Sequence, residues 1–256
     1  MTFKADTQLS HDVHPAQNRE ARRGGVKPSM LILHYTGMSS ASKAIDWLGR
    51  SESGVSCHYV VDEAGRITQL VPEDERAWHA GVSYWRGERD INSHSIGIEI
   101  HNPGHQHGYP EFPPDQMAAV IALAKDIVRR HRIAPDNILA HSDVAPGRKI
   151  DPGEKFNWLL LARAGLGLWV RPSPVKADDA GLGPGESGPR VRRAQELLAA
   201  YGYEVDVTGT LDPRTERVIR SFQLHFRPRR VDGRLDRSTE VTLERLIEAS
   251  RKRAAA

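Results

Sequence analysis

Residues 29 to 37 read SMLILHYTG, a run of apolar side chains that ends in a histidine and a turn. Its length and its bounding turn mark a β-strand, and the two-residue repeat of a strand puts Met30, Ile32 and His34 on one face. His34 comes at the end of that strand, so its imidazole stands where sheet gives way to loop. The stretch SIGIEI, residues 95 to 100, repeats the pattern, with Glu99 sharing a face with Gly97 and opposite Ile96, Ile98 and Ile100. A glycine beside a carboxylate leaves room above the sheet. VSCHYVVD, RITQLV and NILA supply further strands, and SKAIDWLGR a short helix stopped by Gly49. PDQMAAVIALAKDIVRRHRI is a long helix with Met117, Val120, Ile121, Ala124 and Val128 on its apolar face. Strands interleaved with helices predict an α/β fold over residues 1 to 170, with a mixed central sheet flanked by helices.

From 171 to 188 the composition shifts to Pro, Gly, Ser and Asp, which marks a linker. Beyond it, Val191, Ala194, Leu197, Leu198 and Tyr201 recur at helical spacing. GTLDPRTE, starting at Gly209, and GRLDRSTE, starting at Gly233, share the pattern G-x-L-D-x-x-T-E at an interval of 24. Each predicts a turn feeding a helix whose first amides are capped by Asp212 or Asp236. Pro213 falls where a missing N–H costs nothing. Val218, Ile219, Phe222 and Phe226 stripe one helix, and Leu243, Leu246 and Ile247 the next, so residues 189 to 256 form a small three-helix domain. It offers no convergent acid, base or ligand set, which suits a binding module or a packing unit.

Charge is balanced along the chain, with 36 Lys and Arg against 33 Asp and Glu, and the mean hydropathy is −0.52. A nucleic-acid partner is not indicated, and RPRR, from Arg227 to Arg230, is expected to be a solvated loop. No apolar run reaches the roughly 20 residues of a membrane helix. The single cysteine, Cys57, excludes an internal disulfide.

His34, His141 and Asp151 each close a strand or a turn, and no local metal-binding spacing joins them. Taken together, two histidines and a carboxylate leave a fourth position open, the ligand count of catalytic zinc. The order LILHYTG, RAWHAGVSYWRG, SIGIEI and HSDVAPGRKIDPG resembles the zinc-dependent N-acetylmuramoyl-L-alanine amidases of the amidase type 2 family. The nearest branch is the AmiD-like one, which carries an appended peptidoglycan-binding domain. The resemblance covers nearly the whole chain. It implies Zn²⁺ on His34, His141 and Asp151, and Glu99 and Lys149 as catalytic side chains acting on the amide between N-acetylmuramic acid and L-alanine. It also implies a substrate wall at Trp78, His79 and Ala80, with backbone groups at Ala80 and Gly81 facing the peptide stem. Arg89 stands one step before Asp90, where relatives carry an arginine for a stem carboxylate. The other histidines are expected outside the site: His58 structural, and His101, His105 and His107 in a solvated loop.

The alternative reading is a non-catalytic peptidoglycan recognition protein of the same fold. Here every ligand position is filled, which favours the enzyme. A glycosidase is disfavoured because no second carboxylate pairs with Glu99. Peptidoglycan or muropeptides as substrate place the protein in the cell envelope or periplasm, with the cytoplasm as the alternative because no signal peptide is visible.

Overall fold

The computed structural model describes residues 3–254. The larger domain runs β1 (Asp12–Val13), β2 (Arg19–Ala21), β3 (Met30–Tyr35), α1 (Ala41–Gly49), β4 (Tyr59–Val61), β5 (Ile67–Gln69) and β6 (Glu75–Ala77). It continues with α2 (Ile91–His94), β7 (Ser95–Ile100), α3 (Pro114–His131), β8 (Ile138–Ala140), α4 (His141–Val144) and α5 (Trp158–Arg163). Six strands form one mixed sheet in the order β1-β5-β4-β7-β3-β8, and β2 pairs with β6 in a separate ribbon. At its centre β3 runs parallel to β7 and β8, in a register that sets His34 directly across from Glu99.

The alternation predicted for the two central strands sorts them onto two layers. Leu31, Leu33, Ile96, Ile98 and Ile100 pack against α3. Met30 and Ile32 face the other way and join one continuous core with the C-terminal helices. On α3 the buried face is Gln116, Met117, Val120, Leu123, Ala124 and Ile127. Ile121 and Val128, expected on it, are only partly buried at its margin. The helix is apolar over a wide arc, and only contact with the sheet selects which part is covered.

Three helices, α6 (Pro189–Tyr201), α7 (Pro213–Phe226) and α8 (Arg237–Ala254), make the small domain. Asp212 accepts from the Thr215 amide and Asp236 from the Thr239 amide, both at 2.7 Å, so both predicted caps are formed. Gln195 and Gln223 add a paired device that the repeat alone did not reveal: each side-chain oxygen accepts the amide of the following turn glycine, Gly209 at 2.7 Å and Gly233 at 2.8 Å. Residues 171 to 188 are not a free linker. Leu182 exchanges backbone hydrogen bonds of 3.0 and 2.9 Å with Leu235, and the Ser173 amide donates to Thr242 at 2.9 Å. Nor is Arg227 solvated. It is 1% exposed, donates to Thr239 Oγ1 at 2.6 Å and pairs with Asp236 at 3.3 Å, because the buried capping carboxylate needs a counter-charge. No helix among the described residues is long and apolar enough to cross a membrane.

Candidate metal centre and catalytic cleft

The strand β3 delivers His34, the first turn of α4 delivers His141, and the loop after α4 delivers Asp151. All three are buried. His34 Nδ1 lies 2.9 Å from His141 Nδ1, and the two nitrogens lie 3.2 and 3.0 Å from Asp151 Oδ2. The ligand backbones are tied as well, since the Ser142 amide donates to the Asp151 carbonyl at 3.0 Å.

The surrounding hydrogen bonds assign the tautomers. Ser95 Oγ donates to the Ile91 carbonyl at 2.6 Å, so it accepts from His79 Nε2 at 3.2 Å. His79 Nδ1 is then a bare acceptor for His34 Nε2 at 3.0 Å, which leaves His34 Nδ1 without a proton. His141 Nε2 faces the Ala80 carbonyl at 3.1 Å and must donate, so the neutral ring carries its lone pair on Nδ1. Burial pushes the His34 imidazole down to about 4 and holds His79 well below its usual range, so both rings are neutral. Two lone pairs and an anionic oxygen therefore meet with no hydrogen among them. A cation resolves that arrangement, and the triad can hold a metal ion.

The triad opens onto a cleft of about 550 Å³ that Glu99, Lys149, Trp78 and His79 also line. Glu99 Oε2 is buried without a partner, and burial, with Asp151 adding repulsion, pushes its carboxyl well above the usual range. Trp78 has a buried, unpaired indole N–H. The room above Gly97 is taken: a Cβ there would meet the His79 ring at 2.7 Å, so the glycine lets His79 reach His34.

Other predicted wall residues lie elsewhere. Both backbone groups of Ala80 are engaged inside the protein, its amide by Asn92 Oδ1 at 2.8 Å and its carbonyl by His141, and Ala80 does not line the cleft. Arg89 is outside the cleft, paired with Glu204 of the small domain and lying over the Tyr84 ring at 5.2 Å. Asp90 is bound to Arg76 at 3.0 Å and Ser93 at 2.7 Å. His58 is structural as expected, its Nδ1 accepting the Gly97 amide at 3.0 Å. His101 is not solvated: it is buried, with Thr36 Oγ1 at 3.0 Å and Glu63 at 3.1 Å. His105 stacks on Tyr109 at the cleft rim, held by Glu154 at 3.0 Å, while His107 is exposed. Among the described residues no second group of three metal-ligating side chains converges.

Lone pairs gathered in a buried corner, with an orphan carboxylate beside them and one side open to a cleft, define a hydrolase built around a metal site. The chain belongs to the N-acetylmuramoyl-L-alanine amidase family, whose profile matches residues 24–154, and a peptidoglycan-binding-domain profile matches residues 187–243. It hydrolyses the amide bond between N-acetylmuramic acid and L-alanine. N-acetylmuramoyl-L-alanine amidase AmiD of Escherichia coli K12 is 41% identical over 90% of this chain and 86% of its own length. The solved E. coli AmiD, in complex with the substrate anhydro-N-acetylmuramic acid-L-Ala-D-γ-Glu-L-Lys, superposes with a TM-score of 0.75 at 39% identity, covering 90% of this chain and 92% of that one. AmpDh3 from Pseudomonas aeruginosa, in complex with an anhydromuramic pentapeptide, superposes with a TM-score of 0.73 at 31% identity, covering 90% and 95%.

Proposed function

We propose that the ion held by His34, His141 and Asp151 is zinc and that anhydro-muropeptides are among the substrates. Two neutral imidazole nitrogens and one carboxylate with an open side support zinc, and the complexes of the two solved relatives support the substrate form. Bound there, zinc supplies a Lewis acid that activates water and polarises the scissile carbonyl. The rest is done by this chain. Glu99, unpaired and poised with a raised affinity for a proton, takes one from the attacking water and returns it to the leaving nitrogen. Lys149, on the same loop as Asp151, stabilises the carbonyl oxygen as charge grows on it. His79 holds the His34 ring in its tautomer. Trp78 forms part of the wall. A peptidoglycan-derived substrate and a peptidoglycan-binding-like domain support a place of work in the cell envelope.

The observation that carries this reading is the unpaired Glu99 oxygen in the same cleft as the lone-pair triad. Purified protein is expected to release peptides beginning with L-alanine from an anhydro-muropeptide, as seen by mass spectrometry. It should lose that activity on chelation and regain it with Zn²⁺. Turnover that persists after the metal is removed would overturn the proposal.

A further inference from the structure

Asp143 follows the ligand His141 by two residues, and its side chain has no exposed surface. Its Oδ2 accepts the Ala140 amide at 2.8 Å and lies 2.7 Å from His225 Nδ1, and its Oδ1 accepts the Tyr203 hydroxyl at 2.6 Å. Ala140 and His141 share a peptide bond, so this carboxylate closes the turn that carries the ligand. The other two donors come from the small domain. His225 is itself clamped between the Trp158 ring of the larger domain, 3.7 Å between centroids, and the Phe226 ring at 3.8 Å. A buried carboxylate tolerates its burial only while its donors stay in place.

We infer that the small helical domain is a working part of the metal centre: Tyr203 and His225 hold Asp143, and Asp143 holds the turn that aims His141 Nδ1 at the ion. This inference rests on the triad being a metal site, and it gives the domain a role beyond contact with the cell wall. All three are positioning residues, since none lines the cleft. Partners bonded directly to a ligand typically set metal affinity by about 10- to 100-fold; Tyr203 and His225 act through Asp143 and the backbone, which puts their effect at the low end of that range.

The test uses the full chain. Zinc affinity is measured by competition with a chromophoric chelator, and the fold is checked by circular dichroism. The double variant Tyr203→Phe with His225→Leu is expected to bind zinc roughly 10-fold more weakly, while binding to insoluble peptidoglycan is unchanged. Replacing His225→Leu in that pair by His225→Asn restores an N–H donor near the Nδ1 position without restoring the ring stack, so affinity should recover. A packing role would show no such rescue. A folded double variant with unchanged zinc affinity, or a failure of His225→Asn to recover it, overturns the inference. Should the double variant not fold, Tyr203→Phe alone decides, with several-fold weaker zinc expected and unchanged affinity fatal to the idea. A wild-type chain that binds no zinc would instead overturn the reading of the triad itself, and the inference with it.

Discussion

Two buried polar clusters in this molecule follow opposite rules. Around Glu73 every polar atom is matched: Oε1 accepts from Tyr59 at 2.6 Å and Arg130 at 2.7 Å, and Oε2 accepts from His131 at 2.6 Å and again from Arg130. Alongside, Arg22 gives its donors to the carbonyls of Glu73, Asn92, Ser93 and Ser95. At the cleft, His34, His141 and Asp151 meet lone pair to lone pair, and Glu99 Oε2 has no partner. Saturated groups hold the fold together. Groups left wanting a proton or a cation are the ones available for chemistry.

The contrast breaks most easily at Glu99. Glu99→Ala is expected to lower kcat by ~10²- to 10⁴-fold without lowering the unfolding midpoint in denaturant, because it removes no hydrogen bond at Oε2 and relieves the burial of an unpaired carboxyl. A variant that loses stability but keeps turnover would reverse the comparison. Glu73→Gln should do the opposite. It removes one of the two carboxylates that Arg130 pairs with, leaving Asp126 at 2.9 Å, and costs about 3 kcal/mol in chemical denaturation, at the low end for a broken buried pair because Arg130 is partly exposed and keeps that second partner. Zinc affinity and kcat should not move.

A pH titration sharpens the same point. Burial would raise the Glu73 carboxyl, but Arg130, His131 and Tyr59 overcome it and hold it at about 2, against 4.5 for the free group. The group therefore binds fewer protons folded than unfolded. Its contribution, about 3 kcal/mol, is complete above pH 4.5 and is lost as pH falls from there towards 2. Stability curves of the wild type and Glu73→Gln should converge across that window, and parallel curves would refute the assignment. The smallest effect is expected from Gly97→Ala. Its methyl group would displace the His79 ring, costing about 1–3 kcal/mol of packing strain and weakening zinc binding, as read by chelator competition.

Much of this was legible in the chain. The alternation in residues 29 to 37 puts His34 on the face of Met30 and Ile32, and that in residues 95 to 100 puts Glu99 on the face of Gly97; the register of β3 and β7 then sets the two side by side. The Asp caps of the small domain were legible because a cap is a contact over three residues. The same reasoning misplaced Ala80, Arg89, His101 and Arg227. Ala80, Arg89 and His101 are defined by partners far along the chain, such as Glu204 for Arg89, 115 positions away, and Arg227 by groups at the start of the following helix, beyond the reach of a local pattern. Asp143, inside the stretch HSDVAPGRKIDPG, has no role that the sequence shows; His225, 82 positions on, defines what it does.

What the sequence by itself determined is direction: which side chains share a strand face, where helices start, and that two histidines and an aspartate stand at the ends of elements. Local backbone geometry has short periods, and those periods are written in neighbouring residues. Only the tertiary structure decided which polar groups find partners and which are left without them. That depends on packing between elements remote in sequence, including two domains that share one core, and no local pattern encodes it.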